Sequence, residues 1–120
     1  MRCVLPLLLF TLLSAAPLRA QDVVTAPGGD LRVLDKLTGA VTDLSLQNGE
    51  TDTLGFLKVT LRECRYPAAN PSGDAYADIV VTYRDALEPL FAGWMLASSP
   101  ALHAMDHPRY DVWALRCITS

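Results

Sequence analysis

The sequence predicts an all-β domain: a small sandwich or partly open barrel of about six antiparallel strands, with one short helical turn and one disulfide. Three observations point there. Short runs alternate apolar and polar residues with a period of two, as in Ala77, Ile79, Val81 and Tyr83 against Asp78, Thr82 and Arg84. Turn formers punctuate those runs at Thr38-Gly39, Asn48-Gly49 and PAANPSG (67–73). Two cysteines, Cys64 and Cys117, remain once the N-terminal segment is set aside.

Residues 1–20 read as an export signal. Arg2 follows the initiating Met1, the run from Val4 to Leu13 is apolar, and small residues lead to Leu18-Arg19-Ala20 before Gln21. The run is shorter than the roughly 20 residues that span a bilayer, so no integral membrane span is expected after its removal. Residues 21–30 carry Pro27-Gly28-Gly29 and read as a flexible lead-in. Residues 31–120 make the single β-domain.

Within it, Leu31 and Val33 open the first strand, and Thr38-Gly39 turns the chain into Val41–Leu46. Asn48-Gly49 is the strongest hairpin signal in the chain. In Leu54–Glu63, Leu57, Val59 and Leu61 share one face. Cys64 then falls on the polar parity, so a bulge or bend is needed to turn it inward. Asp74–Arg84 alternates cleanly. Leu90–Ala97 is apolar on both parities and reads as a central strand. Ser98 or Ser99 caps a helical turn with Pro100 at its first position, Leu102 and Met105 inside and Pro108 as its stop. Tyr110–Ile118 closes the domain, with Asp111, Trp113, Leu115 and Cys117 on one side.

Composition excludes some functions. Without Arg2 and Arg19 the chain keeps eight basic against thirteen acidic residues, a net charge of −5. A mildly acidic, well-mixed surface with no basic run disfavours nucleic acid and anionic membranes as partners. An even cysteine pair in an exported chain reads as a disulfide, contributing about 4 kcal/mol by loop-closure entropy.

The stretch FAGWMLASSPALHAMDHPRYDVWALRC (91–117) concentrates the chemistry. Ser98 or Ser99 with His103 or His107 and Asp106 or Asp111 makes a triad on paper, but no GxSxG or SxxK signature supports it. His103 and His107 stand four apart, the spacing of a two-histidine metal site, but a third ligand is missing. No metal and no cofactor is therefore expected. Trp94 and Trp113 read first as core residues, with Gly93 marking a bulge or a close approach of other chain at Trp94.

LDKLTGAVTDLSLQNGE, GFLKVTLREC and EPLFAGWMLASSPALHAMDHPRYDVWALRC together resemble the DUF2155 family, small exported proteins of alphaproteobacteria. The resemblance runs from about Leu31 to Cys117, and the block GWMxASSPAL…HPxYDVWxxxC is its most specific part. Two places depart from the pattern: Leu54-Gly55-Phe56, and His103 where the pattern has asparagine. The resemblance implies an envelope protein with its cysteines paired, and it supplies no catalytic residue.

The expectation is a non-enzymatic periplasmic binding or accessory domain with an envelope protein as partner. Trp94, Ser98, Ser99, His107, Tyr110 and Asp111 are its candidate binding residues. One alternative is a small envelope hydrolase or metal-dependent enzyme using Ser99, His107 and Asp111. Another is a structural accessory subunit of a membrane complex.

Overall fold

A computed structural model describes residues 22–119. The export signal expected at residues 1–20 lies outside the described residues. Eight strands form: β1 (Val23–Ala26), β2 (Gly28–Asp35), β3 (Val41–Gln47), β4 (Thr51–Leu54), β5 (Leu57–Pro67), β6 (Tyr76–Tyr83), β7 (Phe91–Leu96) and β8 (Tyr110–Cys117). All pairings are antiparallel. One sheet runs β1-β5-β6-β7, with β4 also on β5, and the other runs β3-β2-β8. The molecule is an open two-sheet sandwich, as the sequence predicts.

The alternation decides the core. Leu31 and Val33 of β2, Leu44 and Leu46 of β3, and Val112 and Ala114 of β8 face Leu57, Val59, Leu61, Ala77, Ile79, Val81, Phe91 and Met95 of the other sheet. Fully burying such a side chain contributes about 1.5–3 kcal/mol.

Two bulges bring the cysteines into this core. On β5 the pairing with β6 slips between Leu61 and Glu63, so Arg62 is the extra residue and Cys64 turns inward. On β8 the pairing with β2 slips at Leu115: Ala114 faces Leu31, but Arg116 faces Asp30. That slip brings Cys117 inside. Cys64 and Cys117 are bonded across the sandwich, closing 53 residues of chain and tying one sheet to the other. The bulge also corrects the expected parity of β8. Tyr110, Val112 and Ala114 are buried, while Asp111 and Trp113 lie on the outer side.

Four other expectations change. The segment read as a flexible lead-in is strand: β1 pairs with Cys64–Pro67, and β2 begins at Gly28. Pairing a long β5 edge satisfies backbone groups that local sequence cannot foresee.

Asn48-Gly49 makes no hairpin. The Glu50 N–H donates to the Gln47 carbonyl, and only Gly49 has positive φ (85°). That is a type II turn, whose twist does not suit a two-residue hairpin. It passes the chain from β3 in one sheet to β4 in the other. The hairpin next door uses Gly55-Phe56, between Leu54 and Leu57.

β7 is an edge strand, not a central one. The expected helical turn is replaced by two successive tight turns, Ser99 N–H to Leu96 carbonyl and Leu102 N–H to Ser99 carbonyl. A segment this short, closed by Pro108, gains too few helical bonds to offset nucleation. Its Met105 is buried, whereas Leu102 is exposed.

Candidate functional site

The dense 91–117 stretch does not fold into one pocket. It wraps the side of the sandwich from edge strand β7 to edge strand β8, and its side chains reach five different places.

Trp94 is on the outer face of the larger sheet. Outward positions on neighbouring strands pair as Arg65↔Tyr76↔Leu96 and Glu63↔Asp78↔Trp94. Val23, Arg65, Tyr76, Trp94 and Leu96 line an open groove of about 260 Å³. The Arg65 guanidinium lies 5.0 Å from the Trp94 ring centre, a cation–π contact. Two hydrogen bonds to Glu63, at 2.7 and 3.0 Å, hold that guanidinium in place. The bond from Arg65 keeps the Glu63 carboxyl below its usual range, with Thr25 assisting. No second layer of described residues covers this half-exposed aromatic face.

Gly93 explains how the edge beside it is closed. Its φ is 152°, and an added Cβ would lie 2.8 Å from the His103 ring. His103 Nδ1 donates to the Trp94 carbonyl at 2.8 Å, and its ring packs 4.5 Å from that of Phe91. The glycine admits a histidine that occupies an edge carbonyl otherwise open to a passing strand.

Ser98 binds Asp74. Its hydroxyl donates at 2.6 Å and its N–H at 3.0 Å, and the Ala75 N–H donates at 2.8 Å. Burial opposes the charged form, but these bonds outweigh it and hold the Asp74 carboxyl below 3.8. Ser99 closes the adjoining turn through its backbone.

His107 and Tyr110 lie at the far end of the sandwich. His107 Nδ1 accepts from the Arg109 N–H (3.1 Å) and the Tyr110 N–H (3.2 Å). A neutral ring bonded this way carries its proton on Nε2 and has no lone pair left to act as a base. The ring packs 5.0 Å from Tyr83 and 5.9 Å from Tyr110, and Lys36 Nζ donates to the His107 carbonyl. Arg109 clasps Asp35, whose carboxyl this bond lowers.

Asp111 and Trp113 face outward from β8 into a groove of about 390 Å³ whose other walls are Pro100, Ala101, Ala104 and Val112.

Ser99, His107 and Asp111 share no hydrogen bond, and His107 is committed to its own turn. The nucleophile–base contact of a triad is not made. His103 and His107 are likewise bound to separate carbonyl and N–H partners. Among the described residues no three His, Cys, Asp or Glu side chains converge to hold a metal.

Sequence reasoning missed Val23, Arg65, Tyr76 and Leu96. A signal existed: Tyr76 stands on the polar parity of β6 and Trp94 and Leu96 on the outer parity of β7. The doubly apolar pattern of β7 thus came from an exposed apolar face, not from a covered one.

The family described as an uncharacterized protein conserved in bacteria (DUF2155) matches residues 29–117. This chain belongs to the DUF2155 family. An uncharacterized protein of Rickettsia prowazekii (strain Madrid E) is 32% identical over 92 residues, covering 74% of this chain. The chain matches only 59% of that relative's length. No solved structure matches the chain. The DUF2155 stretch includes every strand except β1 and the first residue of β2, together with Arg65, Tyr76, Trp94, Leu96, Asp111 and Trp113. Val23 is contributed from outside it.

Proposed function

We propose that this DUF2155 protein is a non-enzymatic binding or accessory domain of the bacterial cell envelope, exported to the periplasm. One observation carries the binding role: the open groove with half-exposed Trp94 and Leu96 and exposed Val23 in its walls, with Trp94 held by Arg65 and Glu63. Rigid aromatic side chains beside a held arginine are what binding hot spots are made of. The Cys64–Cys117 disulfide supports an oxidising compartment.

The test is a photo-crosslinking residue at position 94 or 96 in intact cells, with position 82 on the same sheet as control. A discrete adduct at 94 and 96 but not at 82 is expected. No adduct from any of the three, with folded protein in the periplasmic fraction, would sink the reading. The mass of the mature chain reports at the same time whether cleavage precedes Gln21.

A second reading, an accessory subunit of a membrane complex, is favoured by a different feature. The turns at one end of the sandwich carry exposed Leu37, Phe56 (56% exposed) and Leu87 (102% exposed). Replacing these three by serine would then release the chain from a large native assembly. An unchanged assembly size counts against it.

A further inference from the structure

Six carboxylates of the described residues are half-buried: Asp30, Asp35, Glu63, Asp74, Asp78 and Asp111. Five have partners. Asp30 takes Ser45 and Arg116, Asp35 takes Arg109, Glu63 takes Arg65, Asp74 takes Ser98, and Asp78 takes Arg62. Asp111 has no hydrogen bond or ion pair with any described residue. Asp111 lines the groove of about 390 Å³, two residues along the same outer face from Trp113.

The arginine on the neighbouring strand does not neutralise it. Arg32 stands opposite Trp113 on β2 but gives both its bonds, 2.8 and 3.0 Å, to Asp43. Leu34 stands opposite Asp111 itself. The other walls, Pro100, Ala101, Ala104 and Val112, are small and apolar.

We propose that this groove binds a primary alkylammonium group on an aliphatic stem, the lysine side chain of a partner polypeptide. The site is separate from the Trp94 face. Its chemistry selects the ligand in three parts. The single unpaired carboxylate takes one positive charge and accepts N–H bonds. The indole of Trp113, a wall of the same groove, supplies an aromatic partner for the cation. The alanine and proline walls take the methylenes. A quaternary ammonium lacks N–H donors and is usually held by several aromatic walls, whereas this groove has one.

The experiment titrates the intact protein with Nα-acetyl-lysine methylamide and follows its two indole N–H signals in a nitrogen–proton correlation spectrum. The norleucine analogue and choline serve as comparison probes. A saturable shift of the Trp113 signal is expected with the lysine probe. It should weaken as salt rises, and Asp111→Asn should weaken it at least about tenfold, the scale of a charge-assisted hydrogen bond. The Trp94 signal should stay still. Asp111 makes no side-chain hydrogen bond or ion pair within the described fold, so the variant should unfold at the same denaturant concentration as the parent. Equal shifts with norleucine, equal or larger shifts with choline, no saturable shift at all, or full binding by Asp111→Asn would each overturn the proposal. Norleucine and choline need no variant, so the test stands even if Asp111→Asn were to misfold.

Discussion

His107 shows how one side chain organises a turn. Its Nδ1 accepts from two backbone N–H groups, while its ring packs against Tyr83 and Tyr110. His107→Phe keeps the stacking and strands both donors. The expected cost is about 1–3 kcal/mol, read as a lower urea midpoint. Stability equal to the parent would mean that the ring alone anchors this turn. Gly93 gives a second residue-scale prediction. Gly93→Ala forces a Cβ against the His103 ring, so it should destabilise, and His103→Ala in the same chain should recover part of the loss. A coupling of at least about 0.5 kcal/mol is expected from the double-mutant cycle. Purely additive losses would assign the effect to the backbone conformation instead.

The connection from β7 to β8 behaves as an element held at intervals rather than as a folded unit. Asp74 pins its start through Ser98, His103 pins its middle to β7, Met105 is buried beneath it, and His107 with Lys36 pins its end. The first pin is pH-sensitive. The Asp74 carboxyl is lowered in the folded chain, so its contribution is fully present above the unfolded value near 3.8 and is lost as pH falls through the folded value. Asp35, Asp43 and Glu63 are lowered by their arginine partners and act in the same direction. The domain should therefore lose stability below about pH 4. Asp74→Asn should lose less between pH 5 and pH 3 than the parent does, measured by urea unfolding at both pH values. An identical loss would show that Ser98 and Asp74 do not hold the connection in solution.

At the scale of the molecule, the disulfide is a side-chain cross-link between the sheets. Cys64→Ala with Cys117→Ala should cost about 4 kcal/mol, the loop-closure entropy of a 53-residue span. Denaturant unfolding of the double variant measures it, and alkylation of the native protein without reductant should add no mass. An unchanged midpoint would mean that the opposing faces of Leu31, Leu61 and Ile79 already fix the sandwich without it.

Period-two alternation by itself determined the fold class, the core residues of β2, β5 and β6, and the need for a bulge ahead of Cys64. It could do so because side chains in a strand point to opposite faces, so burial on one side is written directly into the residue order. The cysteine pair was legible for a similar reason: only two remain in the domain. Tertiary structure alone decided the rest. The bulge at Leu115 turns Cys117 inward, where it meets Cys64. Asn48-Gly49 became a crossing between sheets, and residues 23–30 became strand, because distant β5 and β8 offered edges to pair. Trp94 and Trp113 lie outward on different sheets, and Ser99, His107 and Asp111 are parted, although all five crowd into twenty residues of sequence. Nearness along the chain says little about nearness in space where a connection must cross from one sheet edge to the other, and each side chain settles on whichever donor, acceptor or groove the crossing brings to it.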